Sequence, residues 1–544
     1  GDDAEPGAGD RTALRWVAAT VESLVQPHVR LLLEEVRDLL GRLGAGVRAL
    51  VGAALPMDDL EAFARSLDGA GERALALEEL VDRLGDAGRR RGVDSRRLRR
   101  LIELMRALRD LEWVLGDGPT GLGRARVALA TAGDALAWAR RAPRHPFTFP
   151  VAVHWSDESA DFAAGLCRGL LRHALDNLRL VRRARLEAAD RYEPRKHDEE
   201  IAALDWTQLS DEEWGAVPPL LLVGDERVLS GPSAARLGAL LDGAIPVKVV
   251  ILDRRPGGAA ADDDPAAAAC DGLFALAHPR AFVLRTATAA SAHFLEGLAA
   301  ALRSRRPALV HVYAPSPGRD GFAPDAARAQ SRLAVAARAF PCLRYDPDAP
   351  GAFGLKLSLD GNPDPEAAFS RWELHPQDDG EPKTLVVPVT FAHWALGQQR
   401  FAAHFTRIAP AVSGMPLDEW LLAPADRRAA QAAFIRAVDA RGELVHYRVS
   451  AAMAAAAARA HEAWRVLQEL AGLVTPFTEA LRERLKAELA EAHRGELAAL
   501  KADYEERLDR LAAEHQAELA ARLRERLLQL SGYGRPPGSG SSHA

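Results

Sequence analysis

Cysteine is scarce in this 544-residue chain: Cys167, Cys270 and Cys342 are its only three. They lie far apart with no Cys-x-x-Cys pair, which excludes a disulfide framework and a cysteine-rich zinc or iron–sulfur motif. A reducing, cytoplasmic setting is the expectation. Long apolar runs are also lacking, since none reaches the roughly 18 residues a membrane helix needs. The opening Gly1-Asp2-Asp3-Ala4 is acidic and carries no charged-then-apolar leader. Because residue 1 is not Met, the chain is expected to be a piece of a longer protein. A missing N-terminal region or another subunit would then be its partner.

Charge of one sign is lacking too. A net charge of −6 and a pI near 6.3 leave no electrostatic footprint for nucleic acid or an anionic membrane. The local basic runs at residues 89–91 and 96–100 read as solvated helical faces. No His-Glu-x-x-His, Gly-x-Ser-x-Gly or Walker lysine motif occurs, so zinc-protease, α/β-hydrolase and P-loop readings have no support. The triplet Asp262-Asp263-Asp264 lacks the spacing of a calcium loop. What remains is globular: 48% apolar and 27% charged residues, over a length that exceeds one hydrophobic core and implies two to four domains.

Residues 1–142 read as a helical region, with Leu32, Val36, Leu39 and Leu40 on one stripe and Leu98, Leu101, Ile102, Met105 and Leu108 on another. The glycine-rich stretch Gly118 to Arg124 precedes a predicted helix over 125–141 and reads either as a phosphate-receiving helix start or as a plain helix-to-helix turn. Residues 143–365 change character. Four short, non-alternating apolar runs, at 220–223, 247–252, 281–284 and 308–313, alternate with helical stretches and predict an α/β domain with a mostly parallel sheet. Residues 366–449 predict a small mixed α/β region, with a strand at 384–389 and an amphipathic segment from Phe391 to Ile408 that places His393 and His404 on one face, in a packing role. Residues 450–533 predict helix, and 534–544 a disordered tail. The last helix repeats its leucines at about 3.7 residues, nearer an 11- than a 7-residue pattern, which predicts straight or slightly right-handed pairing with a partner helix.

Two strands end in acids. Leu222-Val223-Gly224-Asp225-Glu226 and Val247-Lys248-Val249-Val250-Ile251-Leu252-Asp253 place carboxylates at the carboxyl edge of a parallel sheet, where Mg²⁺ and phosphate groups are bound in such folds. Asp225 reads equally as a helix N-cap, and Arg254 and Arg255 as phosphate contacts or as solvated loop residues.

Together with Leu309-Val310-His311-Val312-Tyr313-Ala314 and Leu343-Arg344-Tyr345-Asp346-Pro347, these segments resemble the C-terminal thiamine-diphosphate domain of the pyruvate:ferredoxin (2-oxoacid:acceptor) oxidoreductase family. The resemblance covers residues 143–360. It implies an α/β domain of thiamine-diphosphate-binding type, thiamine diphosphate with Mg²⁺ as cofactors, Asp225 as the metal ligand, and Gly224, Asp225, Glu226, Asp253, Arg254 and Arg255 around the cofactor. It also implies oxidative decarboxylation of a 2-oxoacid with ferredoxin as electron acceptor.

The departures are specific. Glu226 stands where the family has glycine, Arg254-Arg255-Pro256 where it has Thr and a Gly- and Asn-containing loop, and Ser316 where it has a cluster-ligating cysteine. No iron–sulfur cluster is expected on this chain, and its metal site is incomplete. The alternative expectation is a degenerate, non-catalytic domain acting as a scaffold and oligomerising through its C-terminal helix.

Overall fold

A computed structural model describes residues 6–54, 95–133, 151–153, 158–254, 276–378, 381–409, 414–439 and 441–532. The basic run at 89–91, Arg255, the acidic triplet at 262–264, Cys270 and the tail from 534 lie outside these residues. Two compact units emerge, 1–473 and 474–544.

The first unit is built on an eight-stranded sheet: β1 (Ala128–Thr131), β2 (Val151–Val153), β3 (Leu220–Asp225), β4 (Lys248–Asp253), β5 (Phe282–Ala287), β6 (Ala308–Tyr313), β7 (Leu343–Tyr345) and β8 (Leu357–Ser358). Its order is β2-β1-β3-β4-β6-β5-β7-β8. Strands β1 to β6 are mutually parallel, while β7 runs antiparallel to β5 and β8 antiparallel to β7. All residues of β3, β4, β5 and β6 are buried. That is why their sequences are largely apolar and lack the alternation of a half-exposed strand.

Helices α1 (Gly9–Ala54), α2 (Ser95–Gly116), α3 (Ser159–Ala188), α4 (Gly231–Asp242) and α5 (Ser291–Arg303) surround this sheet. On α1, Ala13, Val17, Val21, Val25, Val29, Leu32, Val36, Leu39 and Leu43 recur at three- and four-residue steps and are all buried. This stripe packs against α2, α3 and α5 and shares one core with the strands. The N-terminal helices are therefore layers of the α/β domain, a correction to the separate helical region 1–142.

A second correction lies in the same stretch. The run Val127 to Ala132, expected within a helix, contains β1, paired in parallel with β3 at Leu129↔Leu221 and Ala130↔Leu222. Alanine-rich runs of this length fit a buried strand and a helix equally well by periodicity, and here pairing with β3 decides. The glycine-rich stretch before it consequently leads into a strand, in place of the predicted helix start.

The described residues between 366 and 449 form a four-stranded sheet and two two-stranded pairs, Ser370–Leu374 with Leu385–Val389 and Gln377–Asp378 with Glu381–Pro382, beside a second core that holds Trp394, Phe391 and Phe401 together with Met453. The segment expected to run as one amphipathic stretch over 391–408 breaks into a short helix (Phe391–Leu396), a 3₁₀ turn (Gln399–His404) and a strand (Phe405–Ile408). His393 and His404 thus serve different elements. Thr390 donates its N–H to His393 Nδ1 at 3.0 Å, and His404 meets Ser450 Oγ at 2.8 Å.

Burial holds the His393 imidazole down to a pKa of about 4. The unfolded chain binds that proton near pH 6.5, so stability falls as pH drops from 6.5 toward 4, by up to roughly 1.4 kcal/mol per pH unit for this group. Urea unfolding at pH 7 and pH 5 is expected to show a smaller acid loss in H393Q than in the wild type.

The predicted C-terminal boundary at 450 also moves. Helix α6 (Ala327–Ala336) and helix α7 (Ala451–Leu470) belong to the first unit, with Met453, Ala456, Trp464 and Leu467 of α7 buried in its two cores. The second unit is helix α8 (Pro476–Leu530), 55 residues long, opened by Pro at its first turn and by Thr475 as N-cap.

Candidate functional site at the carboxyl edge of the sheet

From β1 the chain passes to β2 on one side and returns to β3 on the other, which makes the carboxyl ends of β1 and β3 a topological switch point. Open α/β sheets bind ligands in such crevices. Gly133, just past β1, has φ +61°, and a Cβ there would lie 2.7 Å from Asp225 Oδ1. Only glycine lets the backbone approach the carboxylate so closely.

Five of the predicted site residues, Gly224, Asp225, Glu226, Asp253 and Arg254, gather at this edge. Gly224 is required for packing: a Cβ would meet Val228 at 2.9 Å and Ile251 at 3.1 Å. Asp225 is fully buried. Its Oδ1 accepts the Arg227 backbone N–H at 3.2 Å and so caps the 3₁₀ turn Glu226–Leu229. Its Oδ2 accepts Arg227 Nη2 at 2.5 Å and Arg254 Nη2 at 3.3 Å. Both carboxylate oxygens are thereby engaged.

Glu226 accepts the Arg254 backbone N–H at 3.3 Å and faces Arg319 at 3.5 Å. Burial, then the charge of Asp253, raises its pKa. Two acids, Asp225 and Glu226, thus meet three arginines, Arg227, Arg254 and Arg319.

Asp253 has a different partner. Its Oδ2 lies 2.8 Å from His311 Nε2 on β6, and its Oδ1 has no hydrogen-bond partner among the described residues. Burial lowers the His311 pKa, with the Asp253 hydrogen bond opposing it. The imidazole rests edge-on against Phe340 at 4.9 Å. Arg285, next to His311 on β5, stacks on the same Phe340 ring at 3.9 Å, and its guanidinium makes no hydrogen bond among the described residues.

Arg227, Arg319 and His311 were missed as members of this cluster. His311 had a visible signal, a lone polar residue within the apolar run 308–313. Arg227 had none, because only the 3₁₀ turn folds its guanidinium back onto a carboxylate two residues earlier.

The donor set does not fit Mg²⁺. Guanidinium groups occupy the Asp225 carboxylate where a cation would have to sit, and among the described residues no three His, Cys, Asp or Glu side chains converge on a point. The arginines that would meet a diphosphate are already held by acids. No helix among the described residues is long and apolar enough to cross a membrane. Compared with protein-family models and with curated proteins, the chain matches none.

Proposed function

We propose that this chain is a divergent relative of the C-terminal thiamine-diphosphate domain of 2-oxoacid:acceptor oxidoreductases that has exchanged its metal site for an internal ion-pair cluster and works as an assembly scaffold. The observation that carries the reading is the Asp225 carboxylate closed by Arg227 and Arg254. Fold alone does not guarantee chemistry, and an acid neutralised in this way has no lone pair turned toward a metal.

Helix α8 supports the assembly role. Leu497, Leu508, Leu519 and Leu530 recur at 11-residue steps and Leu489, Leu500 and Leu511 at the same interval, all about half exposed or more. Monomers rarely leave large contiguous apolar patches to water, and an 11-residue period favours straight or right-handed helix pairing. A second copy of α8 is the partner this row fits.

Calorimetric titration of thiamine diphosphate into the folded chain, with and without Mg²⁺, tests the loss of the metal site. The expected result is no saturable heat that depends on Mg²⁺. A micromolar, Mg²⁺-dependent isotherm that disappears in D225A would restore the cofactor domain and the 2-oxoacid chemistry that goes with it.

A further inference from the structure

At the opposite, amino edge of the sheet lies a cavity of about 480 Å³, within the range of small-molecule sites. Val21 and Val25 of α1, Cys167 and Leu171 of α3, and Trp214 form its walls, with Lys248 at the start of β4. Lys248 is 2% exposed. Its Nζ donates to the carbonyls of Ser304 at 2.6 Å and Arg306 at 2.7 Å.

An ammonium group has three donors. Two are taken by these carbonyls, the third has no partner among the described residues, and no carboxylate among them pairs with the charge. The wall around it is apolar. Of the other titratable groups lining the cavity, Asp211, Glu212 and Arg303 are exposed, Cys167 is buried, and His28 is half-buried, its Nδ1 without a hydrogen-bond partner among the described residues.

We infer that this cavity is a binding site for a small monocarboxylate with an aliphatic body, its carboxylate accepting the free donor of Lys248 and its tail lying against Val21, Val25 and Leu171. An unpaired buried cation is costly, and a ligand carboxylate supplies the missing counter-charge where water is largely excluded. The inference is independent of the Asp225 cluster, which lies about five residues along the same strands, on the order of 17 Å away.

Burial lowers the Lys248 pKa to about 7, partly offset by the neighbouring Cys167. A bound carboxylate favours the charged amine, so binding at pH 8 draws a proton from the buffer.

The test uses the full chain with decanoate and decan-1-ol as probes, titrated at pH 8 in two buffers of different ionisation enthalpy. Decanoate is expected to bind at least tenfold tighter than the alcohol, with proton uptake approaching one per ligand. In K248M both the preference and the proton uptake should vanish while the alcohol still binds. L171W, which fills the cavity and leaves the lysine, should lose both ligands, and it decides the matter should K248M fold poorly. Equal affinity for acid and alcohol, a preference that survives K248M, or decanoate binding undiminished in L171W overturns the proposal, as does the absence of binding by either probe.

Discussion

D225A is expected to lower stability by about 3 kcal/mol, read as a fall in the urea midpoint at pH 7. Removing one member of a buried charge cluster leaves its partners uncompensated, at a cost of about 3–5 kcal/mol. The lower end applies because the Arg227 side chain is 46% exposed and can turn to water, and Arg254 can turn to Glu226. Loss of the cap on the 3₁₀ turn adds to the effect. D225N, which keeps the cap acceptor and the volume, should lose markedly less.

The sign of the D225A effect is what separates the readings. Residues kept for ligand binding often carry strain, and their removal tends to leave stability unchanged or raise it. A neutral or stabilising D225A would therefore mean that the carboxylate is poised for something outside the chain, and the ion-pair account of this edge would fail.

The second large effect concerns α8. The full chain is expected to be a dimer at micromolar concentration, and L500D/L511D a monomer by light scattering with unchanged thermal unfolding of the first unit. Each buried leucine contributes about 1.5–3 kcal/mol. Two substitutions count twice in a symmetric dimer, and four charges must then be desolvated, so L500D/L511D should weaken association by at least about 100-fold. A wild-type chain that stays monomeric at about 100 µM would remove α8 from the assembly role.

Most of the parallel sheet could be read before the structure was known, because burial on both faces leaves an unmistakable mark. Leu220 to Val223, Val247 to Leu252 and Ala308 to Tyr313 each match a strand to within two residues at either end. The run 281–284 marks the start of β5, which continues through Arg285, Thr286 and Ala287; two buried polar side chains there broke the apolar signal. β1 was lost for the opposite reason, since Ala128, Leu129 and Ala130 suit either period. The helical reading of α1 was right, but its place against the sheet follows from tertiary packing that no local spacing encodes. At the site, the acids were found from the strand ends. Their neutralisation was only half visible: Arg254, which pairs with Asp225 and Glu226, stands at a strand end, whereas Arg319 reaches Glu226 from 93 positions away.

The strand order carries one more consequence, for the time at which the sheet can close. β6 lies between β4 and β5, so neither of those strands meets the other, and each keeps an unpaired edge until the later segment arrives. During synthesis the slot between them stays open from residue 254 until Ala308 to Tyr313 has emerged. Long-range parallel pairing of this kind is slow and exposes strand edges while it waits. β6 thus enters between two strands that precede it in the chain; until it emerges β4 has only β3 as a backbone partner and β5 has none, and β7 and β8 extend the edge later still.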